Sequence, residues 1–394
     1  MAYRKYKLGD LVEQYDEVNL SGEFADIDDL QGINSKKYFQ ECKSNKNDID
    51  LYRYRICRHG MFSYNRATSR NGEKISIALR TGGDCIVSPS YYCFRVKDED
   101  VLCPEYLDIW FKRPVFDRYA RFNSWGSATE FFTFDDFCAT EIILPPISEQ
   151  RKIVHDYQVI TDRIELLRKI NEKLEEQASL HFESVFGRYI PDGLNVSDII
   201  PDGWTVATVG EFCKANSATF SGKDDVLLYL DIGSITNNYI SGLQILDTNI
   251  DEIPSRARRK VSDGDIVYST VRPNLRHYGI IYNPPANMIV STGFAVMSML
   301  KTAPVCSEII YMWLTRNSVV NVLHSIAENS VSTYPSIISA DLEHIKMVVP
   351  SEDECTETGA YYKSVFQTID CNNREISKLE RLAILFSNQL AKGE

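Results

Sequence analysis

Five short segments of this 394-residue chain recur in the same order about two hundred residues further on. The offset is 204 between Gly60 and Gly264, and 203 both from Ile86 to Ile289 and from Arg113 to Arg316. The pairs are KLGDLVE with TVGEFCK, GMFSYN with GDIVYS, IVSPS with IVSTG, YLDIWFKR with IIYMWLTR, and TEIILPPISE with EHIKMVVPSE. A constant offset predicts a tandem duplication, so the chain must fold as two related units.

A long helix is predicted after the first unit, from the segment ILPPISEQRKIV. Pro145 and Pro146 cannot donate backbone hydrogen bonds and end the preceding strand. Ser148 is a suitable N-cap, Glu149 favours the first turn, and neither Pro nor Gly follows before Gly187. The predicted helix has about 38 residues. Apolar residues follow a seven-residue spacing on two tracks, interrupted by Asn171: Ile153, Ile160, Leu167 and Leu174, with Tyr157, Ile164 and Ala178.

The second unit ends in the same way. Ser351 can cap a helix, and Glu354 stands three residues later, as in a capping box. The heptad tracks are Ile369, Ile376, Ala383 and Leu390, with Asn372, Leu379 and Phe386. Two related helices with narrow apolar seams are expected to pair as an antiparallel coiled coil, which gives the chain an internal pseudo-twofold repeat.

The globular parts alternate short β-rich runs with helical segments at 104–122 and 306–326. This pattern predicts the α+β class, with two mixed α/β recognition domains at 1–146 and 189–350, and long spacer helices at 147–188 and 351–394. A linker is predicted around 185–204, and a hairpin turn at NPPA, 283–286.

The charge distribution suggests a nucleic-acid partner in spite of a net charge of −12. Two basic islands stand out from the acidic chain, one at 51–80 and one at 256–276. The two islands occupy matching places in the two repeats. A charged surface that is merely exposed to solvent would explain either island alone, but it explains this match less well.

No catalytic motif or cofactor site is recognisable, so we expect a non-enzymatic binding protein without cofactor or metal. The ten cysteines form no CxxC pair and the six histidines form no metal-binding pattern. No membrane-spanning run or signal sequence occurs, and this favours a cytoplasmic protein.

These residues resemble a known family. LPPISEQRKIV before a heptad helix, with GDIVYSTVRPN, IVSTGF and YMWL, is similar to the specificity subunits of type I restriction-modification systems, a bacterial defence. The resemblance implies a subunit that reads a bipartite, asymmetric sequence in double-stranded DNA. It also implies two methyltransferase subunits docked on the helices, near Glu149, Gln150 and Arg151, and motor-nuclease subunits that complete the restriction complex.

Base reading and phosphate contacts need Arg, Asn, Lys, Ser and Thr in accessible loops. The predicted DNA-binding residues of the first repeat are Asn65, Arg66, Ser69, Arg70, Asn71, Lys74, Ser127 and Thr129. Those of the second repeat are Ser269, Thr270, Arg272, Asn274, Arg276, Ser330, Ser332 and Thr333. Two alternatives stay open: a repeat adaptor that binds proteins, and the recognition subunit of another bipartite methyltransferase-nuclease.

Overall fold

The computed structural model describes residues 3–42, 49–68, 74–127, 129–190, 196–197, 199–221, 224–330 and 335–390. The chain divides into two compact units. Unit 1 contains Met1–Arg163 and Leu379–Glu394, and unit 2 contains Ile164–Lys378. Each unit therefore combines one globular domain with a part of both long helices.

The described residues of unit 1 form ten short strands. They are β1 (Arg4–Lys7), β2 (Val12–Gln14), β3 (Gln31–Ile33), β4 (Phe39–Glu41), β5 (Arg55–Cys57), β6 (Phe62–Asn65), β7 (Ile77–Leu79), β8 (Cys85–Val87), β9 (Tyr91–Val96) and β10 (Glu141–Leu144). Its helices are α1 (Leu8–Leu11), α2 (Pro104–Phe111), α3 (Pro114–Phe122), α4 (Phe134–Cys138) and the start of α5 (Ile147–Phe186).

An antiparallel sheet in the order β2-β9-β6-β7 forms the centre of unit 1. Phe62 lies opposite Phe94 on the neighbouring strand, and their rings stack with centroids 5.0 Å apart. Phe111 of α2 meets the Phe62 ring edge-on at 5.6 Å. Alternate aromatic residues of the strands thus face one helix-covered side, which forms the core.

The helix predicted over 104–122 is two helices, because the chain is extended at Arg113 (φ −70°, ψ 135°) before Pro114. Proline disfavours the helical conformation of the residue before it, and it begins α3 as an N1 residue. The segment predicted over 306–326 also divides, at Arg316 (φ −53°, ψ 139°), although no proline follows there.

Unit 2 repeats this plan with an additional sheet. Its strands are β11 (Thr205–Thr208), β12 (Cys213–Ala215), β13 (Val226–Leu230), β14 (Ile235–Thr236), β15 (Tyr239–Ile240), β16 (Gln244–Asp247), β17 (Ala257–Lys260), β18 (Asp265–Ser269), β19 (Tyr278–Ile281), β20 (Met288–Ser291), β21 (Phe294–Met299) and β22 (Lys346–Val349). Its helices are α6 (Ser307–Thr315), α7 (Asn317–Glu328), α8 (Ser339–Glu343) and most of α9 (Glu352–Gln389).

The strand orders show that the two units are structural repeats. The sheet β12-β21-β18-β19 corresponds to β2-β9-β6-β7, and the pair β11-β22 corresponds to β1-β10. Unit 2 also contains the sheet β16-β13-β20-β17, in which β13 and β20 are parallel. The NPPA segment connects β19 and β20, which belong to different sheets, so the predicted hairpin turn there is wrong.

The two long helices pair antiparallel within unit 2. Asn171 of α5 is hydrogen-bonded to Asn372 of α9, and His181 is hydrogen-bonded to Tyr362. Ten residues forward on α5 therefore correspond to ten residues backward on α9. In unit 1, the ring of Tyr157 contacts that of Phe386.

The predicted seam residues Ile164, Leu167, Ala178, Ile369 and Ile376 are buried. The coiled-coil prediction is thereby confirmed. The first helix begins at Ile147, two residues before Glu149, which would be the first helical residue after a cap at Ser148.

Candidate nucleic-acid interface

In unit 2, residues 270–277 form the loop between β18 and β19. The N–H and hydroxyl groups of Thr270 both donate to the carbonyl of Gly293, at 2.8 and 2.9 Å. Ile337 N–H donates to the Thr270 carbonyl at 2.8 Å, and Arg272 N–H donates to the Pro335 carbonyl at 3.0 Å. The basic loop is therefore fixed between the β20–β21 turn and the polar segment that precedes α8.

Unit 1 contains the same set of backbone hydrogen bonds. Arg66 N–H donates to Ser90 (3.4 Å), Phe132 N–H donates to Arg66 (2.9 Å), and Thr68 N–H donates to Glu130 (3.0 Å). Each participating residue corresponds to its unit 2 counterpart with an offset of 203 to 205. Both units thus place a basic loop beside a polar loop in one backbone frame, which brings together surface residues that are distant in sequence.

Two arginines of the unit 2 loop have left-handed backbone conformations, Arg272 at φ 49° and Arg276 at φ 57°. This conformation costs about 1–2 kcal/mol for a residue with a side chain. Hydrogen bonds of the frame hold both residues there, and the Arg276 guanidinium also donates to Asn317 at 2.8 Å. Such outliers concentrate at functional sites, which supports this loop as a candidate interface.

The other predicted DNA-binding residues of unit 2 lie in different environments. Asn274 is exposed, whereas Ser269 is buried and its hydroxyl donates to the Val271 carbonyl at 2.8 Å. Ser269 therefore shapes the loop, and its expected DNA contact is corrected to a structural role. Ser330 accepts a hydrogen bond from Ser336 N–H at 3.4 Å. Ser332 and Thr333 lie outside the described residues.

In unit 1, Arg66 is exposed and its guanidinium lies over the rings of Phe131 and Tyr92, 5.3 and 5.8 Å from the centroids. The Asn65 side chain accepts from Ala67 N–H at 3.0 Å. Three further predicted residues are partly or fully exposed: Lys74, Ser127 and Thr129. Ser69, Arg70 and Asn71 lie outside the described residues.

Much of the first basic island is neutralised within unit 1, contrary to expectation. Arg53 pairs with Asp50, Arg55 with Asp16, and Arg58 with three carboxylates. All of these carboxylates except Asp84 come from the acidic N-terminal segment, between Asp10 and Asp50. Arg66 and Lys74 are the described members whose position suits a phosphate or base contact.

Arg58 makes hydrogen bonds to Glu17, Glu23 and Asp84, and this network raises its own pKa. The hydrogen bonds from Arg58 and then Tyr15 lower the pKa of Glu17. The pKa of Asp84 is lowered first by the His59 backbone N–H and then by Arg58. The cluster therefore stays ionised and holds Arg58 within unit 1, which is a structural role.

The second island is different. Within the described parts of unit 2, no ion pair engages Arg256, Arg258 or Lys260, and all three are exposed. The carbonyl of Arg256 accepts from Thr292 N–H at 2.8 Å, beside the turn that holds Thr270. The sequence analysis placed Arg256 in a basic island but not in the interface. Its backbone hydrogen bond with this turn, through Thr292, was not visible in the sequence.

In the described part of the chain, no cluster of three or more His, Cys, Asp or Glu side chains has a geometry that could hold a metal ion. Of the helices so described, none has the length and apolar character needed to cross a bilayer.

Comparison with known proteins finds a family resemblance in the first part of the chain. Residues 21–176 match the type I restriction modification DNA specificity domain. The matched residues are less than half of the 394-residue chain, and over them the chain resembles the type I restriction-modification specificity family. The resemblance inferred from LPPISEQRKIV and the repeat is thus confirmed.

Two relatives illustrate how far this family resemblance extends. The type I restriction enzyme HindI specificity subunit of Haemophilus influenzae is 24% identical over 181 residues, which are 46% of this chain. The aligned part spans 39% of that relative's length. A type I restriction-modification system S subunit from M. genitalium has the same fold, with a TM-score of 0.59 and 14% identity over 99% of this chain and 96% of the other.

At the start of the first long helix, Gln150 does not point outward. Its side chain is fully buried and donates to the carbonyls of Val101 and Pro145, both at 2.9 Å. It also accepts from Cys103 N–H at 2.9 Å. The predicted partner contact of Gln150 is therefore corrected: this amide fixes the start of α5 to the start of α2. The position of this polar residue in the sequence does not distinguish a partner contact from an internal link between α5 and α2.

Glu149 and Arg151 are exposed on either side of Gln150. Glu149 accepts from the Tyr3 hydroxyl at 3.2 Å, and Arg151 lies 3.6 Å from Asp100. Both contacts are solvent-accessible and weak, so the two side chains are free to exchange them for a partner.

Proposed function

We propose that this chain is the DNA-recognition subunit of a type I restriction-modification system, that it performs no catalysis itself, and that each unit reads one half of a bipartite target. The observation that carries the proposal is the duplicated hydrogen-bond frame, which presents a basic loop and a polar loop side by side in both units. A left-handed Arg272 and an aromatic-backed Arg66 are suited to base edges and phosphates. The family and its specificity-subunit relatives support the same role.

Two methyltransferase subunits and the motor-nuclease subunits are the proposed partners. In unit 2, the side of α5 away from the seam exposes Leu166, Ile170 and Leu180, which follow helical spacing. In unit 1, α9 exposes Leu382 and Leu385. Exposed apolar strips of this kind suit further helices from a partner. All ten cysteines are free, which agrees with assembly in the reducing cytoplasm.

The neutralised arginines of unit 1 give some support to the alternative of a protein-binding adaptor. The salt dependence of DNA binding distinguishes a DNA-recognition subunit from a protein-binding adaptor. A DNA-binding protein that neutralises several phosphates loses affinity steeply as salt increases, because counterions are released on binding. Filter binding of random duplex at low and high salt should show this slope, whereas an adaptor should bind little DNA at either concentration.

The direct test maps methylated adenines in DNA from a host that carries this chain with its methyltransferase partner. We expect two short specified segments separated by an unspecified gap. In duplex binding by the same complex, Arg272→Ala and Arg276→Ala should weaken recognition of one segment only, and Arg66→Ala and Arg70→Ala that of the other, each by about 1–3 kcal/mol. Arg95→Ala, which removes an exposed arginine paired with Glu13, is the control. Normal recognition by all four loop variants would reject these loops as the reading elements.

A further inference from the structure

The polar loop of unit 1 contains a row of exposed aromatic side chains. Trp125 and Phe131 exchange both backbone hydrogen bonds, at 3.1 and 2.9 Å. Phe131 also forms a β-bridge with Ala67 of the basic loop. Residues directly opposite one another in antiparallel pairs project from the same face. Trp125, Phe131 and Ala67 therefore form one continuous row.

The indole of Trp125 lies largely in solvent. Trp125 is 69% exposed and Phe131 is 37% exposed, whereas Trp110 and Trp313 are buried in the two cores. Trp204 is half-buried. An exposed tryptophan leaves a large apolar surface in water that contact with a flat apolar face would remove.

The segment around Trp125 is held firmly. Ser124 donates to the Ala120 carbonyl at 2.6 Å, and Asn123 donates to the Tyr119 carbonyl at 2.9 Å, so the end of α3 is tied down. Gly126 has φ 153°, and a Cβ there would lie 2.0 Å from the Thr129 carbonyl oxygen. Only glycine permits this close turn, which fixes the indole next to Phe131.

One positive charge lies directly beside the aromatic row. The Arg66 guanidinium lies over the Phe131 ring, and Glu130 is neutralised by Arg121 at 2.8 Å. Ser127 is exposed on the same loop. A flat ring beside a guanidinium group matches nucleic acid, in which a π-face lies between phosphates.

We propose, on the basis of the proposed function, that Trp125 stacks on the face of a base at an opened step of the duplex. This step lies within or beside the half-site read by unit 1, and Arg66 contacts the adjacent DNA backbone. Proteins that insert apolar side chains between base steps unstack and bend the duplex. Pyrimidine–purine steps open most easily, so such a step is the expected position. Trp125 thereby adds a shape-dependent contribution to specificity that hydrogen-bonding side chains do not supply.

The test uses the full chain with its methyltransferase partner and the mapped target duplex. 2-Aminopurine is placed in turn at each position of the first half-site and its flanks, because its fluorescence increases when it is unstacked. The wild-type complex should raise the fluorescence at one step, and Trp125→Ala should abolish that increase and weaken binding by about tenfold or more. Trp125→Phe should retain part of both effects. Tyr52→Ala, which removes another exposed aromatic ring of unit 1, should behave as the wild type.

The outcomes separate this inference from the proposed function. Failure of the wild-type complex to prefer its target over a scrambled duplex would overturn the proposed function. Selective binding with no fluorescence change at any position, and with Trp125→Ala equal to Tyr52→Ala, would overturn the stacking role alone. Loss of the methyltransferase partner from Trp125→Ala, with DNA binding otherwise intact, would assign Trp125 to a protein interface and also reject the proposal.

Discussion

At the scale of single residues, Lys37 and Asp117 form a buried ion pair in unit 1, with 2.7 Å between the Lys37 ammonium and the Asp117 carboxylate. Lys37 is only 4% exposed, and burial lowers its pKa against the opposing effect of Asp117. Asp117 also accepts from Ile75 N–H at 3.1 Å, where the basic loop returns to β7. The pair therefore connects an N-terminal turn, helix α3 and one end of the candidate reading loop.

Lys37→Met should lower the free energy of unfolding by about 3–5 kcal/mol, because it leaves the Asp117 carboxylate buried without its counter-charge. The double variant Lys37→Met, Asp117→Asn should recover much of this loss, since the amide oxygen can still accept from Ile75. Urea unfolding of the full chain measures both. Lys5→Met, which removes the exposed partner of Glu141, should change stability by less than about 1 kcal/mol. Equal effects at Lys37 and Lys5 would contradict this account.

Glu175 gives unit 2 a pH-dependent stability. Burial, and then the charge of Glu172, raise its pKa to about 7. An acid whose pKa is higher in the folded state binds its proton more tightly there. The resulting stabilisation is present below the pKa of the unfolded chain and is lost as pH rises through about 7.

We therefore expect the free energy of unfolding to fall by on the order of 1–2 kcal/mol between pH 5 and pH 8, and Glu175→Gln to remove this contribution. Denaturant titrations at several pH values would measure it. Glu176→Gln provides the matched control, because Glu176 is exposed and pairs with Lys173 at 2.6 Å. A Glu175→Gln variant with the wild-type pH profile would show that Glu175 titrates normally.

At the scale of elements, an asparagine cluster interrupts the apolar seam of the helix pair in unit 2. Asn171 accepts from Asn372 and donates to Asn373, both at 2.8 Å, and Asn373 also donates to the Asn238 carbonyl at 3.2 Å. A buried asparagine in a coiled coil fixes register at a cost in stability, because its amide is satisfied in one alignment only. The interruption noted in the heptad pattern is thus the element that aligns the two helices.

The double variant Asn171→Leu, Asn372→Leu should unfold at a higher denaturant concentration and yet populate more than one helix register. Spin labels on the exposed Cys371 and on Lys169→Cys would report this as a broader distance distribution. The same two labels in a chain that keeps Asn171 and Asn372 are the control, and they should give one narrow distance distribution. A narrow distribution in the leucine variant as well would mean that the apolar seam fixes the register without the asparagines.

At the scale of the whole molecule, the two helices, of 40 and 38 residues, provide a candidate spacer between the reading domains. Overlapping heptads of about 22 residues correspond to roughly 33 Å, close to one turn of B-DNA. The gap in the target should therefore place the two segments about one helical turn apart. A single continuous target in the native protein would contradict the spacer role.

Matched four-residue insertions in both helices test the spacer. Arg374 donates to the Tyr282 carbonyl at 2.5 Å and pairs with Asp370, so an insertion at Arg374, which heptad spacing alone suggests, would disturb unit 2. The boundaries between units fall after Arg163 and after Lys378, and insertions there are preferable. Each half-site should stay the same while the gap grows by about one to two base pairs, since four residues span about 6 Å. Methylation mapping measures the gap, and a single-helix insertion is the control that should impair assembly.

The sequence alone determined the duplication, the α+β class, the paired helices and the resemblance to the specificity family, because repeats, heptads and the two prolines before the helix are patterns of neighbouring residues. It could not determine which polar side chains remain at the surface. Gln150 and Arg58 read as surface groups, yet one is buried against Val101 and the other is balanced by Glu17, Glu23 and Asp84. In the sequence, Trp125 is a single aromatic residue in a polar loop. Only the β-bridges that Phe131 forms with Trp125 and with Ala67 revealed an aromatic row. Burial and ion pairing depend on contacts between residues tens of positions apart, so tertiary structure alone decided these roles.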